Sequence, residues 1–356
     1  MSKRLPATSI LIVRLTAIGD IIMSSPVPTA IKNQNPNAQI SWIVHKSFAP
    51  LLRDHPDIDN VIEFDLDLWL SFWKKRHLFK LWQLANEVRN SLSEFGFDRA
   101  IDLQGSFLSG LLSKLSGAEQ RIALGSASVN SWFMNKTISR TIGDQTQIGA
   151  EYRYLVNQLG CSDKHWKMHV PTCENASKTA KEKLYEKLKD DDYAVIVPFA
   201  QYPQKKWVDD YWQQIILRIR GRYKLKTIIV GGENGLTEGE ELAKKTGAIN
   251  FAGKTSLEET AAIIKGASLL IGVETGLTHM GHALNIPTIA LFGATSPYTF
   301  VESELSTVIY LNRFCSPCKR NPTCKKKYQC MRDITPDRVL TTIKPLLKKF
   351  HFSEET

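Results

Sequence analysis

Long apolar runs are the first thing this chain lacks: no stretch approaches eighteen consecutive apolar residues, so no membrane-spanning helix is expected. No leader is expected either. Met1-Ser2-Lys3-Arg4-Leu5-Pro6 is basic, but the apolar run behind it is short, is interrupted at Val13-Arg14, and has no clean small-residue cleavage site. That pattern predicts a cytoplasmic protein. There is no zinc finger, RRM signature or basic heptad run, so nucleic acid is not the expected partner. Gly231-Gly232 belongs to no GxGxxG, and no Walker-type lysine follows it. Low-complexity segments and short repeats are missing. Acidic residues are outnumbered, 36 Asp and Glu against 46 Lys and Arg, leaving a formal charge of +10. With nucleic acid set aside, an anionic membrane face or a phosphorylated substrate suits that excess.

What is present is alternation. A chain of 356 residues with 43% hydrophobic and 23% charged content is long enough for two domains. In the first half, β-type runs at 10–13, 40–44, 61–64, 99–103 and 121–124 alternate with helical patterns at 24–33, 47–54, 79–94 and 107–115. After a charged helix at 174–192 the alternation resumes, with strands at 194–198, 227–230, 249–251, 269–273, 288–292 and 308–310. Helices at 209–220, 235–246, 257–266 and 278–284 lie between them. Strands alternating with helices imply parallel pairing through right-handed crossovers. The expected fold is α/β, two Rossmann-like doubly wound domains facing a cleft. Pro336, set for a first helical turn, opens a last helix.

In such folds ligands sit beyond the carboxyl ends of the strands. Two strand-to-helix turns there carry carboxylates. The first run ends in Arg14-Leu15-Thr16-Ala17-Ile18-Gly19-Asp20. Asp20 has two readings, a proton acceptor for a hydroxyl nucleophile or a helix cap. The other turn is Glu274-Thr275-Gly276-Leu277-Thr278-His279. Amides of Thr275, Gly276 and Leu277 at a helix N-terminus suit a diphosphate, which leaves Glu274 for sugar hydroxyls. His279, one turn in, reads more readily as structural. Lys205 and Lys206 follow the first strand of the second domain, where a lysine can hold a diphosphate or simply be solvated. Gly231-Gly232 lets backbone approach a ligand.

Three further patterns carry alternatives. Asp57-x-Asp59 and Asp65-x-Asp67 match the DxD spacing of metal-dependent glycosyltransferases, and its double occurrence marks it as incidental. From Trp69 to Trp82, aromatics interleave with Lys74, Lys75, Arg76 and Lys80. This suits an anionic lipid interface, stacked bases, or a buried amphipathic helix with a basic face. Of six cysteines, Cys161 and Cys173 are isolated, while Cys315, Cys318, Cys324 and Cys330 crowd together. Four thiols on short loops, among Lys319, Arg320, Lys325, Lys326 and Lys327, suit a structural Zn or Fe site or a reduced, disulfide-prone knuckle.

Taken in order, the Arg14–Asp20 turn, Ile101-Asp102-Leu103-Gln104-Gly105, Lys205-x-Trp207, the Glu274–His279 turn and the cysteines before Met331-Arg332-Asp333 resemble the ADP-heptose:lipopolysaccharide heptosyltransferases, family nine of the glycosyltransferases. The resemblance covers most of the chain. It implies a GT-B architecture, with an acceptor domain over 1–175, a nucleotide-sugar domain over 176–335 and a helix over 336–356 crossing back to the first. It implies inverting transfer from ADP-heptose with no cofactor required, to a lipopolysaccharide core acceptor at an anionic membrane surface. Asp20 is then the base and Lys205 the diphosphate lysine. Thr16, Ala17, Gly19, Gly231, Gly232, Glu233, Glu274, Thr275, Gly276, Leu277 and His279 are placed at the donor, and Lys74, Lys75, Arg76, Asp102 and Gln104 at the acceptor. Glu274 stands where the family often has Asp. The rival readings are a heptosyltransferase acting on protein, of autotransporter type, and a non-catalytic nucleotide-sugar or nucleic-acid binding module.

Overall fold

The computed structural model describes residues 8–125, 132–140, 146–189, 191–295, 298, 301, 303–318 and 321–354. The chain divides into two compact units, Met1–Asp144 with Gly149–Pro171, and Gln145–Ile148 with Thr172–Thr356. Each holds a six-stranded, wholly parallel sheet.

In the first unit the strands are β1 (Ser9–Val13), β2 (Gln39–His45), β3 (Asn60–Phe64), β4 (Arg99–Asp102), β5 (Gln120–Leu124) and β6 (Lys136–Ile138). Their order is β3-β2-β1-β4-β5-β6. The second unit has β7 (Tyr193–Val197), β8 (Lys226–Ile229), β9 (Ile249–Asn250), β10 (Leu269–Val273), β11 (Thr288–Phe292) and β12 (Ser306–Tyr310), in the order β12-β11-β10-β7-β8-β9. The two orders are the same: each sheet starts in its middle, grows to one edge, then returns to the other side of its first strand. The reversal falls between β1 and β4, where Val13 pairs Asp102, and between β7 and β10, where Val197 pairs Gly272. A crevice opens at the carboxyl end of such a switch point.

Parallel strands covered on both faces read as unbroken apolar runs. Every residue of β7, β10 and β11 is buried. One core gathers Leu11, Val13, Leu15 and Ile43 with helix residues such as Trp69, Leu81 and Leu112. The other gathers Ile196, Trp207, Trp212, Ile271 and Leu291. Glycine is needed where a helix start meets its strand: a Cβ on Gly272 would lie 2.3 Å from Thr278 Oγ1 and 2.9 Å from Val197 Cβ.

Some elements differ from expectation. The helix expected at 24–33 is two, Ile18–Ser24 and Pro26–Gln34, because Pro26 restarts the helix at its first position. Residues 47–54 form a tighter 3-10 turn at Lys46–Leu51, with Pro50 inside it. A helix at Leu66–Lys74 precedes Leu78–Ser93, capped by Asp65, whose Oδ1 accepts the Leu68 N–H at 2.9 Å. The last helix, Pro336–Glu354, buries Val339, Leu340, Ile343 and Leu346 in the second unit's own core. Among the described residues no helix is long and apolar enough to cross a membrane.

Candidate active site

The chain leaving β1 is held by a buried guanidinium. Arg14 Nη1 donates to the Leu103 carbonyl at 2.6 Å, and Nη2 lies 2.5 Å from Asp20 Oδ2. Arg14 is almost wholly buried, whereas 37% of the Asp20 side chain is open. The Tyr152 hydroxyl lies 3.5 Å from Asp20 Oδ1. Burial raises the Tyr152 pKa well above 10, so the phenol stays protonated and donates. Asp20 is not the N-cap. Ala17 holds that position, and Asp20, three residues on, receives its N–H at 3.5 Å. The cap reading is thus corrected to a contact from the third helical position back to the cap's N–H, and the carboxylate stays partly open.

Asp102 and Gln104 build this turn from behind. Asp102 has no exposed surface. Its Oδ1 accepts the N–H groups of Gln104 and Gly105 at 2.8 and 2.9 Å, and its Oδ2 the Ser109 hydroxyl at 2.9 Å. Burial raises its pKa, opposed by those hydrogen bonds. Its expected place at the acceptor is corrected: a carboxylate with no surface and both oxygens engaged cannot reach one. Gln104 Oε1 accepts from Leu15 and Thr16 N–H at 2.8 and 3.2 Å, which ties the 102–105 turn to the chain before Asp20. In that chain Thr16 is half-buried, Ala17 exposed and Gly19 buried. Arg140, unread in the sequence, spans the Leu103 and Gln104 carbonyls and pairs with Glu151 at 2.5 Å.

In the second unit, residues expected to act apart form one ion pair. Lys205 ends the 3-10 turn Pro203–Lys205, and its Nζ lies 2.8 Å from Glu274 Oε2. The Thr295 hydroxyl donates to the same oxygen. Glu274 follows β10 directly, and the helix Gly276–Ala283 opens behind it with Thr275 at its N-cap. Residues 274–277 are half-buried and 278–280 buried, so the helix presents its amino end outward. The leading amides there have no carbonyl one turn back within the helix. The Thr278 hydroxyl donates to the Val273 carbonyl at 2.6 Å, fixing the turn. His279 is buried behind those amides, with Nδ1 2.7 Å from the Tyr298 hydroxyl. Burial and the nearby Glu274 raise the Tyr298 pKa well above 10.

Lys206 turns elsewhere, to Glu238 at 2.9 Å on the surface. Gly231 and Gly235 pack on Phe199, where a Cβ at either would fall 2.5 and 2.6 Å from the ring. Gly232 and Glu233 are exposed between them. Lys74, Lys75 and Arg76 are exposed where the helix Leu66–Lys74 ends.

The DxD carboxylates have structural work. Asp57 accepts from Thr29, Asp59 binds the Ile40 N–H and Lys32, Asp65 caps its helix and pairs with Lys46, and Asp67 lies 3.3 Å from His45. The four clustered thiols are free, and Cys330 is buried in the second core. Burial, then the charges of Cys315, Cys318 and Cys324, raise the Cys330 pKa. Among the described residues no three His, Cys, Asp or Glu side chains converge as a metal requires. The expected structural Zn or Fe at Cys315, Cys318, Cys324 and Cys330 is therefore not assigned. Lys319 and Arg320 lie outside the described residues.

Residues 85–329 match the model of glycosyltransferase family 9 (heptosyltransferase). The chain belongs to glycosyltransferase family 9. This family 9 chain is 23% identical to lipopolysaccharide heptosyltransferase 1 of Pseudomonas aeruginosa, over 95% of this chain and 98% of that one. Among solved structures, a family 9 glycosyltransferase from Veillonella parvula superposes with a TM-score of 0.82 at 21% identity, covering 97% and 98% of the two chains. E. coli heptosyltransferase WaaC with ADP-2-deoxy-2-fluoro heptose superposes at 0.68 and 21% identity, covering 95% and 99%. The fold is that of the heptosyltransferase structures, and the protein is a glycosyltransferase.

Proposed function

We propose that this family 9 glycosyltransferase transfers a heptose from ADP-heptose, with inversion, to a lipopolysaccharide inner-core acceptor, either lipid A-Kdo or a first heptose. The acceptor lies at the cytoplasmic face of the inner membrane. The observation that carries the reading is the second switch point, where Lys205, Glu274 and the amino end of the helix Gly276–Ala283 converge. A lysine beside free helix amides supplies the positive field a diphosphate needs. The solved WaaC complex carries ADP-2-deoxy-2-fluoro heptose, a diphosphate of the kind such a field attracts, which supports the reading.

In the proposed reaction Asp20 takes the proton from an acceptor hydroxyl. The oxygen attacks the anomeric carbon opposite ADP, the C–O bond to the diphosphate breaks, and ADP leaves with the electron pair. Lys205 and the amides of Thr275, Gly276 and Leu277 stabilise the developing diphosphate charge, the role a metal fills in other transferases. Glu274, exchanging Lys205 for sugar hydroxyls, orients the heptose. Gly231, Gly232 and Glu233 border the nucleoside; Thr16, Ala17 and Gly19 border the sugar. Lys74, Lys75 and Arg76 meet acceptor phosphates.

The test is Asp20→Asn, which keeps the Arg14 contact in shape and removes the base. Turnover should fall by about 10²–10⁴ while ADP-heptose affinity holds. Near-normal turnover removes Asp20 as the base.

A further inference from the structure

We propose that Tyr152 is a positioning residue for the reaction, a role that rests on the reading of Asp20 as the base. Its phenol and the Arg14 guanidinium take one oxygen each of the Asp20 carboxylate and hold it in a single orientation toward the acceptor hydroxyl. Tyr152 is only 1% exposed, so it acts through another group and not on a substrate. Two contacts tie it to the turn behind β1. Its hydroxyl lies 3.5 Å from Asp20 Oδ1, and Arg14 Cζ lies 5.9 Å from the centroid of its ring. Arg14 in turn holds Asp20 Oδ2 at 2.5 Å. One side chain thus faces both members of the ion pair.

A glycine brings the phenol this close. Tyr152 is the third residue of the helix Ala150–Gln158, which starts from Gly149 at φ 70°. A Cβ on Gly149 would lie 2.9 Å from Trp166 Nε1 and 3.1 Å from the Met23 carbonyl oxygen, on the helix Ile18–Ser24 that carries Asp20. Without that atom the helix start closes on its neighbour, and the hydroxyl meets the carboxylate. Enclosure then limits what the phenol does: burial keeps it protonated, so it donates to Asp20 and takes no proton from it. Tyr193, buried in the second unit, gives its hydroxyl to the Ile263 backbone carbonyl at 2.7 Å. Tyr152 instead turns its hydroxyl to a side chain that is 37% open. A carboxylate oxygen accepts more than one hydrogen bond, so Oδ1 can keep the phenol and still receive the acceptor's proton. The 3.5 Å contact is long, as hydrogen bonds of catalytic groups often are before substrate tightens them.

The test is a cycle of Tyr152→Phe, Asp20→Asn and the double variant, with transfer from ADP-heptose measured where circular dichroism shows each chain fully folded. Tyr152→Phe keeps the ring beside Arg14 and removes only the hydroxyl. Its kcat should fall by about 10–100-fold, the loss expected when a hydrogen bond to a charged group goes. KM for donor and acceptor should stay within about twofold of the parent's. In the Asp20→Asn background the same change should cost less than about twofold, since no base is left to orient. Tyr152→Phe turning over like the parent, beside an inactive Asp20→Asn, overturns the positioning role and leaves the base in place. An equal loss in both backgrounds overturns it as well, because the tyrosine would then act independently of Asp20. Near-normal turnover by Asp20→Asn overturns the base reading, and the positioning role falls with it.

Discussion

Replacing Lys205 with alanine removes two things that can be measured apart. One is the ion pair with Glu274, 2.8 Å long, whose side chains keep 20% and 15% of their exposure. Exposed pairs contribute roughly 0–1 kcal/mol, and breaking a fully buried pair costs about 3–5 kcal/mol. At this intermediate burial, with Thr295 still donating to Glu274, a loss of about 1–3 kcal/mol is expected. The other is the cation proposed against the departing diphosphate, worth about 10²–10³ in turnover if it acts like a single oxyanion donor. Adding Glu274→Gln separates them, because a neutral amide needs no counter-ion. Urea unfolding followed by circular dichroism should then show most of the stability regained, while transfer from ADP-heptose stays low. Two results refute the reasoning: Lys205→Ala turning over within about threefold of the parent, or transfer restored by the second change.

Acid should weaken the fold through two buried histidines. Burial first, and neighbouring histidines after it, lower the pKa of His55 to about 4 and of His282 to about 3. The unfolded chain therefore binds protons below pH 6.5 that the fold refuses, and stability falls from there toward pH 4 by up to about 1.4 kcal/mol per pH unit per histidine. Urea midpoints across that range check this, and a flat profile contradicts it. Gly272→Ala should cost about 1–3 kcal/mol, since its Cβ would meet Thr278 Oγ1 and Val197 Cβ. A thermal midpoint equal to the parent's would show that the helix start can shift freely.

Much of the fold was legible because buried parallel strands leave a plain signature. Ile10 to Val13 and Leu269 to Val273 are apolar at every position, with a turn signal behind them, and their bounds lie within a residue of the strands. β6 is three residues long, too short for any period to register. The helix Ala150–Gln158 is nearly as polar as it is apolar, and Gly149 in a left-handed conformation starts it without a side-chain cap.

The turns of the candidate site were legible where local chain chemistry sets them. Gly19-Asp20 and Glu274-Thr275-Gly276 announce strand-to-helix turns by themselves. Partners supplied from distant segments give no such signal. Tyr152 reaches Asp20 from 132 positions away, and nothing around it in sequence marks a site. The Lys205–Glu274 pair and the Thr295 contact likewise arise only once the sheet order is known. Asp102 misled for the opposite reason: its motif is conspicuous because it builds a turn, and its carboxylate is spent inside the protein.

The most direct measurement is transfer itself: the full chain incubated with ADP-heptose and Kdo-bearing lipid A, and the lipid weighed by mass spectrometry. A lipid heavier by one heptose, formed by the parent and not by Asp20→Asn, is the predicted result. An unmodified lipid from an enzyme that binds ADP-heptose would contradict the acceptor, and the same reaction with a UDP- or GDP-sugar in preference would contradict the donor.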